Sequence, residues 1–303
     1  MITLKTDTAL VDIDNWEEIR KRIQFREKLD PTEHKLEAII GRYVEKDWVR
    51  CGLTCCNQEH MKGYLVKTVQ GLETNIGKDC GKTHFGVDFE NLSRVFEQDL
   101  IATRNREILW NTRFRTEEIE ELIGRLRSEQ HGADWIQRNL RVLTTPNSGC
   151  PDVVVAAIRK MTKSGNSKII HERDATDQEI RSIEVAQGKT VAKPYLIEDP
   201  KGELKGIAAF SPENDLRNLL VLELDEKLKK FTACDIDSLT KDQLKTWARW
   251  AGSIDVTLER AQAAIEIGRS LLTKENLSPF LETLERRDDR IGFQSFIRSL
   301  GRA

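Results

Sequence analysis

Four of the six cysteines in this 303-residue chain, Cys51, Cys55, Cys56 and Cys80, fall in one window of thirty residues. His60 lies in the same window and His84 four residues beyond it, two of only five histidines. Thiolates and imidazoles are the ligands that zinc takes, four at a time in a tetrahedron, and proteins supply them in pairs from two local structures. Both pairs are visible here. One lies in the run from Cys51 to His60, the other in Cys80, Gly81, Lys82, Thr83, His84.

Cys51 and Cys80 are the firmest candidates, each being the sole thiol at its end of the window. Two more ligands must come from Cys55, Cys56, His60 and His84. Cys56 with His60 is favoured, because three intervening residues let a turn bring both side chains onto one ion. Cys55 and His84 are the alternates. A short segment with little apolar mass of its own would gain most of its folding free energy from such a metal. A closed four-ligand site of this kind is structural, whereas a catalytic zinc keeps a position open and needs a general base beside it, a role for which Glu59 or Asp79 could be put forward.

Between the two pairs, Gly63 to Val69 and Glu73 to Ile76 read as a hairpin turning at Gln70 and Gly71. A ligand-bearing knuckle, a hairpin and then ligands at a helix start resemble the treble-clef zinc finger over residues 47–100. Neither half has two cysteines separated by two residues, so the usual ligand spacing does not carry over. That resemblance would pair Cys55 or Cys56 with His84. The run Gly63 to Phe85 is also similar to segments of uncharacterised bacterial and phage proteins, which brings no activity with it.

Gly81, Lys82, Thr83 imitate the end of a phosphate-binding loop, yet the required glycine five positions earlier is Ile76. Gly77, Gly81 and Gly86 are expected instead to permit tight turns around the metal. From Arg104 to Arg115 the chain offers Arg104, Arg106, Arg113 and Arg115 interleaved with Trp110 and Phe114, against one acid, Glu107. Arginine beside aromatic rings suits phosphate pairing and base stacking, so this run is the nucleic-acid candidate. The bland alternative is a solvated helix face. No nucleophile elbow, paired helical histidines or dinucleotide fingerprint is present, so no catalytic residue is assigned. Cys150 and Cys234 stand alone and read as small buried hydrophobes.

With 48 basic against 50 acidic side chains, the chain has no global field to draw it to nucleic acid or membrane, so any such partner must meet a local patch. No run of eighteen apolar residues and no secretory core in Met1–Leu10 is found, and a cytoplasmic protein with reduced thiols is expected.

The elements that must position these residues read as α+β, mostly helical. N-terminal helices are expected over residues 1–46, placing Trp16, Ile19 and Ile23 on one and Leu36, Ile39, Ile40 and Tyr43 on a second. The zinc-bound hairpin module follows at 47–100, and a helical extension with the basic patch at 101–145. Pro146, Asn147, Ser148 and Gly149 signal a linker. Beyond it an α+β domain at 150–235 is read as winged-helix-like, with a hairpin whose arms are Tyr195–Glu198 and Glu203–Ala208. A helical region occupies 236–303, opened by Thr240 with Gln243 as a capping box and closed by a helix from Ser278.

The expected function is a zinc-stabilised, non-enzymatic binding or adaptor protein that engages nucleic acid or protein and no membrane. The competing expectations are a nuclease-like enzyme with a treble-clef core and a structural component that self-associates through its C-terminal helices.

Overall fold

The computed structural model describes residues 1–6, 9–56 and 58–301. The chain is mixed α and β and mostly helical, with a five-stranded and a two-stranded antiparallel sheet. It forms two compact units: Met1–Thr112 with Asp235–Ala251, and Arg113–Cys234 with the chain from Gly252 onward. The linker expected at Thr144–Cys150 is a loop inside the second unit, with Asn147 and Gly149 at positive φ. No helix among the described residues is long and apolar enough to cross a membrane.

In the first unit the sheet runs in the order β2 (Leu10–Ile13), β1 (Ile2–Lys5), β3 (Leu36–Arg50), β4 (Glu59–Thr68), β5 (Glu73–Gly77). The N-terminal region is therefore largely sheet, and only Trp16–Arg20, capped by the Asn15 side chain, is the helix expected there. Leu36, Ile39, Ile40 and Tyr43 fit a helical face on paper. In β3 they are extended instead, with Ile39, Gly41 and Tyr43 buried between half-buried neighbours, because β4 pairs along the segment and β1 takes its other edge at Gly41–Tyr43. Tertiary pairing overrides a short periodic signal. The β4–β5 hairpin forms as expected, with Gly71 at φ 82° and the Thr68 carbonyl accepting the Gly71 amide.

Successive side chains of β4 point to opposite faces, and two cores result. Val66 joins Ile39, Cys51, Ile76, Cys80, Phe89, Phe96 and Leu100, while Leu65 joins Ile2, Leu4, Ile19, Phe25 and Tyr43. The first core is closed by the long helix Lys78–Phe114, which breaks at Gly86 with φ 55° and ψ −135°. Each large apolar side chain it buries there contributes about 1.5–3 kcal/mol.

The second unit is built from helices Thr116–Ser128, Ala133–Thr144, Asp152–Ser164, Asp177–Gln187, Glu226–Thr232, Ile254–Leu271 and Arg287–Ser299, with the π-helical segment Arg217–Asp225. Its two strands, β6 (Lys168–Asp174) and β7 (Leu196–Glu203), pair with each other. This corrects the hairpin expected at 195–208. Asp199 to Gly202 carry turn chemistry but lie within β7, where a register shift between Ile169 and Ile170 lets Pro200 sit opposite Ile170. Proline is tolerated at such bulges and edges. From Ser278 the chain makes a short 3-10 turn, and the last helix starts at Arg287.

Candidate metal centre

Cys51 leaves the end of β3, Cys56 lies in the connection to β4, and Cys80 stands in the first turn of the helix that follows β5. The connection is tied down from several sides. The Cys51 amide donates to the Gln58 carbonyl, the Cys56 amide to the Leu53 carbonyl and the Gly52 amide to the Asn75 carbonyl, all at 2.8–3.1 Å. Gly52 has no alternative here, because a Cβ would lie 2.1 Å from the Thr74 hydroxyl. On the helical side Gly81 lets the Phe89 ring close in, since a Cβ would meet it at 2.5–2.6 Å. Close approach of a ring, rather than a tight turn, is what this glycine serves.

These constraints bring the ligand atoms of Cys51, Cys56 and Cys80 within 4.8 Å of one another, with the Cys56 and Cys80 sulfurs 3.2 Å apart. Cys51 and Cys80 are buried and Cys56 is half-buried. The three thiols are not equivalent. Burial pushes the Cys51 thiol up against backbone hydrogen bonds from Leu53 and Gly77, and burial together with the neighbouring thiols pushes Cys80 up to about 12. For Cys56 the burial effect is outweighed by hydrogen bonds from the Gln58 backbone, Cys80 and Cys51, so this thiol is the one shifted down. Three thiols gathered this closely are a donor set for a soft cation, whose binding displaces their protons. The donor set fits a metal ion; by itself it does not specify which.

The structure divides the other sequence candidates. His60 is not brought to the three sulfurs. Its Nδ1 lies 2.9 Å from the Tyr43 hydroxyl, and its ring stands over Gly77. Tyr43 belongs to the second core, not to the one that holds the cysteines. In the pairing of β3 with β4, His60 stands opposite Val49. Burial holds the His60 pKa below its ordinary value, and its Nε2 is buried without a partner among the described residues. Cys55 and His84 are both exposed and sit against each other, with the sulfur 3.5 Å from either ring nitrogen. They form a second rung beside Cys56 and Cys80, since Cys55 precedes Cys56 and His84 is one helical turn beyond Cys80.

The phosphate-loop mimic is accounted for by local contacts, with Lys82 paired to Glu90 at 2.8 Å and the Thr83 hydroxyl donating to the Asp79 carbonyl. The lone cysteines lie elsewhere. Burial, with the Asp152 charge nearby, pushes the Cys150 thiol up to about 12, and the Cys234 thiol donates to the Lys230 carbonyl.

The four arginines expected to form a basic face are each engaged within the chain. Arg104 reaches the Thr3 hydroxyl at 3.4 Å and Asp12 at 4.0 Å, and Arg106 reaches Asp237 at 3.5 Å. Arg115 contacts Asp255 and Glu118 at 3.0 and 3.1 Å. Arg113 donates to the carbonyls of Phe231, Thr232 and Cys234 at 2.7–2.8 Å, with its guanidinium over the Phe231 ring. It thereby satisfies the end of the helix Glu226–Thr232, where carbonyls lack intrahelical donors. Their partners lie up to 140 residues away in sequence, beyond what a local reading can see. Comparison with protein families, with curated proteins and with solved structures finds no match for the chain.

Proposed function

We propose that this protein is a zinc-stabilised, non-catalytic binding module, in which the ion pins the β3–β4 connection to the start of the long helix so that the first unit holds its shape. The observation that carries this reading is the convergence of three thiols from two separate chain segments within 4.8 Å. Cys51, Cys56 and Cys80 would hold the ion, and the exposed rung of Cys55 and His84 would supply the fourth ligand. Zinc is favoured over other cations because thiolate with imidazole is its characteristic structural donor set. On this reading the order knuckle, hairpin and helix would be that of a treble clef. The bound ion would add crosslinking and no reaction chemistry, leaving the surfaces of both units to engage a macromolecule.

The test is removal of the metal. Thermal unfolding of the full chain, followed by far-UV circular dichroism, is expected to shift to lower temperature with a zinc chelator and to recover on adding back zinc. A melting curve indifferent to chelator, from protein shown to contain zinc beforehand, would contradict the structural role. A structural site couples binding free energy directly to folding.

A further inference from the structure

In the second unit an open cleft of about 460 Å³ lies between one face of the helix Ala133–Thr144 and the π-helical segment Arg217–Asp225. Four arginines line it, Arg127, Arg138, Arg141 and Arg217, against a single carboxylate, Asp134. Asp134 is already taken, because both of its oxygens accept from Arg127 at 3.1 and 3.2 Å. Among the described residues the guanidinium groups of Arg138, Arg141 and Arg217 have no hydrogen bond or ion pair, and all three are exposed. The contrast with Arg104, Arg106, Arg113 and Arg115, all engaged within the chain, is direct.

Arg138 and Arg141 stand three residues apart on one helical face, and Asp134 and Gln137 share that face. Like charges at this spacing repel, and a bound anion would relieve that repulsion. The floor between them is apolar, formed by Ala133, Leu216, Leu220 and Val221. Low-dielectric walls strengthen and focus the field of the charges above them. Planar guanidinium groups present paired donors that match phosphate oxygens two at a time.

We propose that this cleft binds a ligand bearing adjacent phosphate groups, with Arg138, Arg141 and Arg217 contacting the phosphates and the apolar floor receiving the sugar or base beside them. Two sources share that chemistry, a nucleic-acid backbone and a nucleoside polyphosphate. The proposal deepens the binding-module reading by naming the partner's chemistry, and it places the basic surface at this cleft rather than on the run from Arg104 to Arg115.

The experiment uses the full chain loaded with zinc, titrated into a fluorescein-labelled single-stranded oligonucleotide of about 20 nucleotides at about 50 mM salt, where phosphate contacts are strong. In parallel, ADP without divalent metal is titrated by calorimetry. A triple variant, Arg138→Gln, Arg141→Gln, Arg217→Gln, keeps good helix formers at exposed positions. It is expected to weaken binding at least tenfold and, for the oligonucleotide, to flatten the salt dependence by roughly 0.7 for each phosphate pairing removed. The corresponding lysine variant should recover part of the affinity, and Arg104→Gln with Arg106→Gln should leave it unchanged. Loss confined to the oligonucleotide identifies a nucleic-acid backbone, and loss confined to ADP identifies a small phosphorylated ligand. Wild-type protein that binds neither probe overturns the proposal, as does binding that survives the triple substitution or vanishes equally with Arg104→Gln and Arg106→Gln. Zinc content measured in the same samples keeps the two readings apart: an empty cleft in zinc-loaded protein removes only this one.

Discussion

The sulfur of Cys56 lies 3.2 Å from that of Cys80, although 24 residues and a whole hairpin separate them in the chain. Cys51 completes the group from the far side of the knuckle. Side by side with this rung, Cys55 meets His84 at 3.5 Å on the exposed side.

The second rung predicts which imidazole matters. His84→Ala combined with Cys55→Ser should weaken zinc affinity sharply, since together they remove both candidates for the fourth position. His60→Ala should leave zinc content unchanged and cost about 1 kcal/mol by removing the hydrogen bond with the Tyr43 hydroxyl. Competition with a colorimetric zinc chelator reads the affinity, and urea unfolding reads the stability. Zinc lost from His60→Ala, and retained in the double variant, would reverse the assignment.

Arg113 is predicted to be a structural residue of the second unit. Three carbonyls accept from it, so Arg113→Gln should destabilise that unit by roughly 3 kcal/mol, given about 1.5–3 kcal/mol for a hydrogen bond to a charged group and partial compensation by water. The measurement is chemical denaturation with a probe in the second unit. A loss of nucleic-acid affinity with unchanged stability would show instead that this arginine works at the surface.

The cysteine cluster and the β4–β5 hairpin were legible in the sequence, because cysteine clustering and a Gly71 turn are local signals. The place of His60 was not. Its contact with the Tyr43 hydroxyl joins strands β3 and β4 across 17 residues, beyond what local spacing indicates. Leu36 to Tyr43 fitted a helix until β1 and β4 claimed both edges of the segment. In the same way Asp199, Pro200 and Gly202 looked like a turn, and β6 drew them into a strand. The internal contacts of the arginine run were hidden for a third reason: Arg104 reaches Thr3 and Arg115 reaches Asp255, both about 100 or more residues away.

The capping box at Thr176 predicts a pH dependence. Arg173 and the Thr176 amide and hydroxyl hold Glu179 well below the usual carboxylate range, at about 2. The folded value lies under the unfolded one of 4.5, so the stabilisation is complete above about pH 4.5 and is lost as pH falls toward 2. Glu179→Ala should therefore melt below the wild type near neutral pH, and the gap between them should close on acidification. A gap that stays constant down to about pH 3 would show that the carboxylate is not the stabilising group.

Metal analysis of the purified full chain and its cysteine variants tests the central claim most directly. Protein prepared without chelator should contain about one zinc per chain, as one tetrahedral donor set provides. Cys51→Ser and Cys80→Ser should each lose that zinc together with thermal stability, while Cys150→Ser and Cys234→Ser keep it. Wild-type protein without zinc, or equal zinc loss from all four variants, would contradict the account.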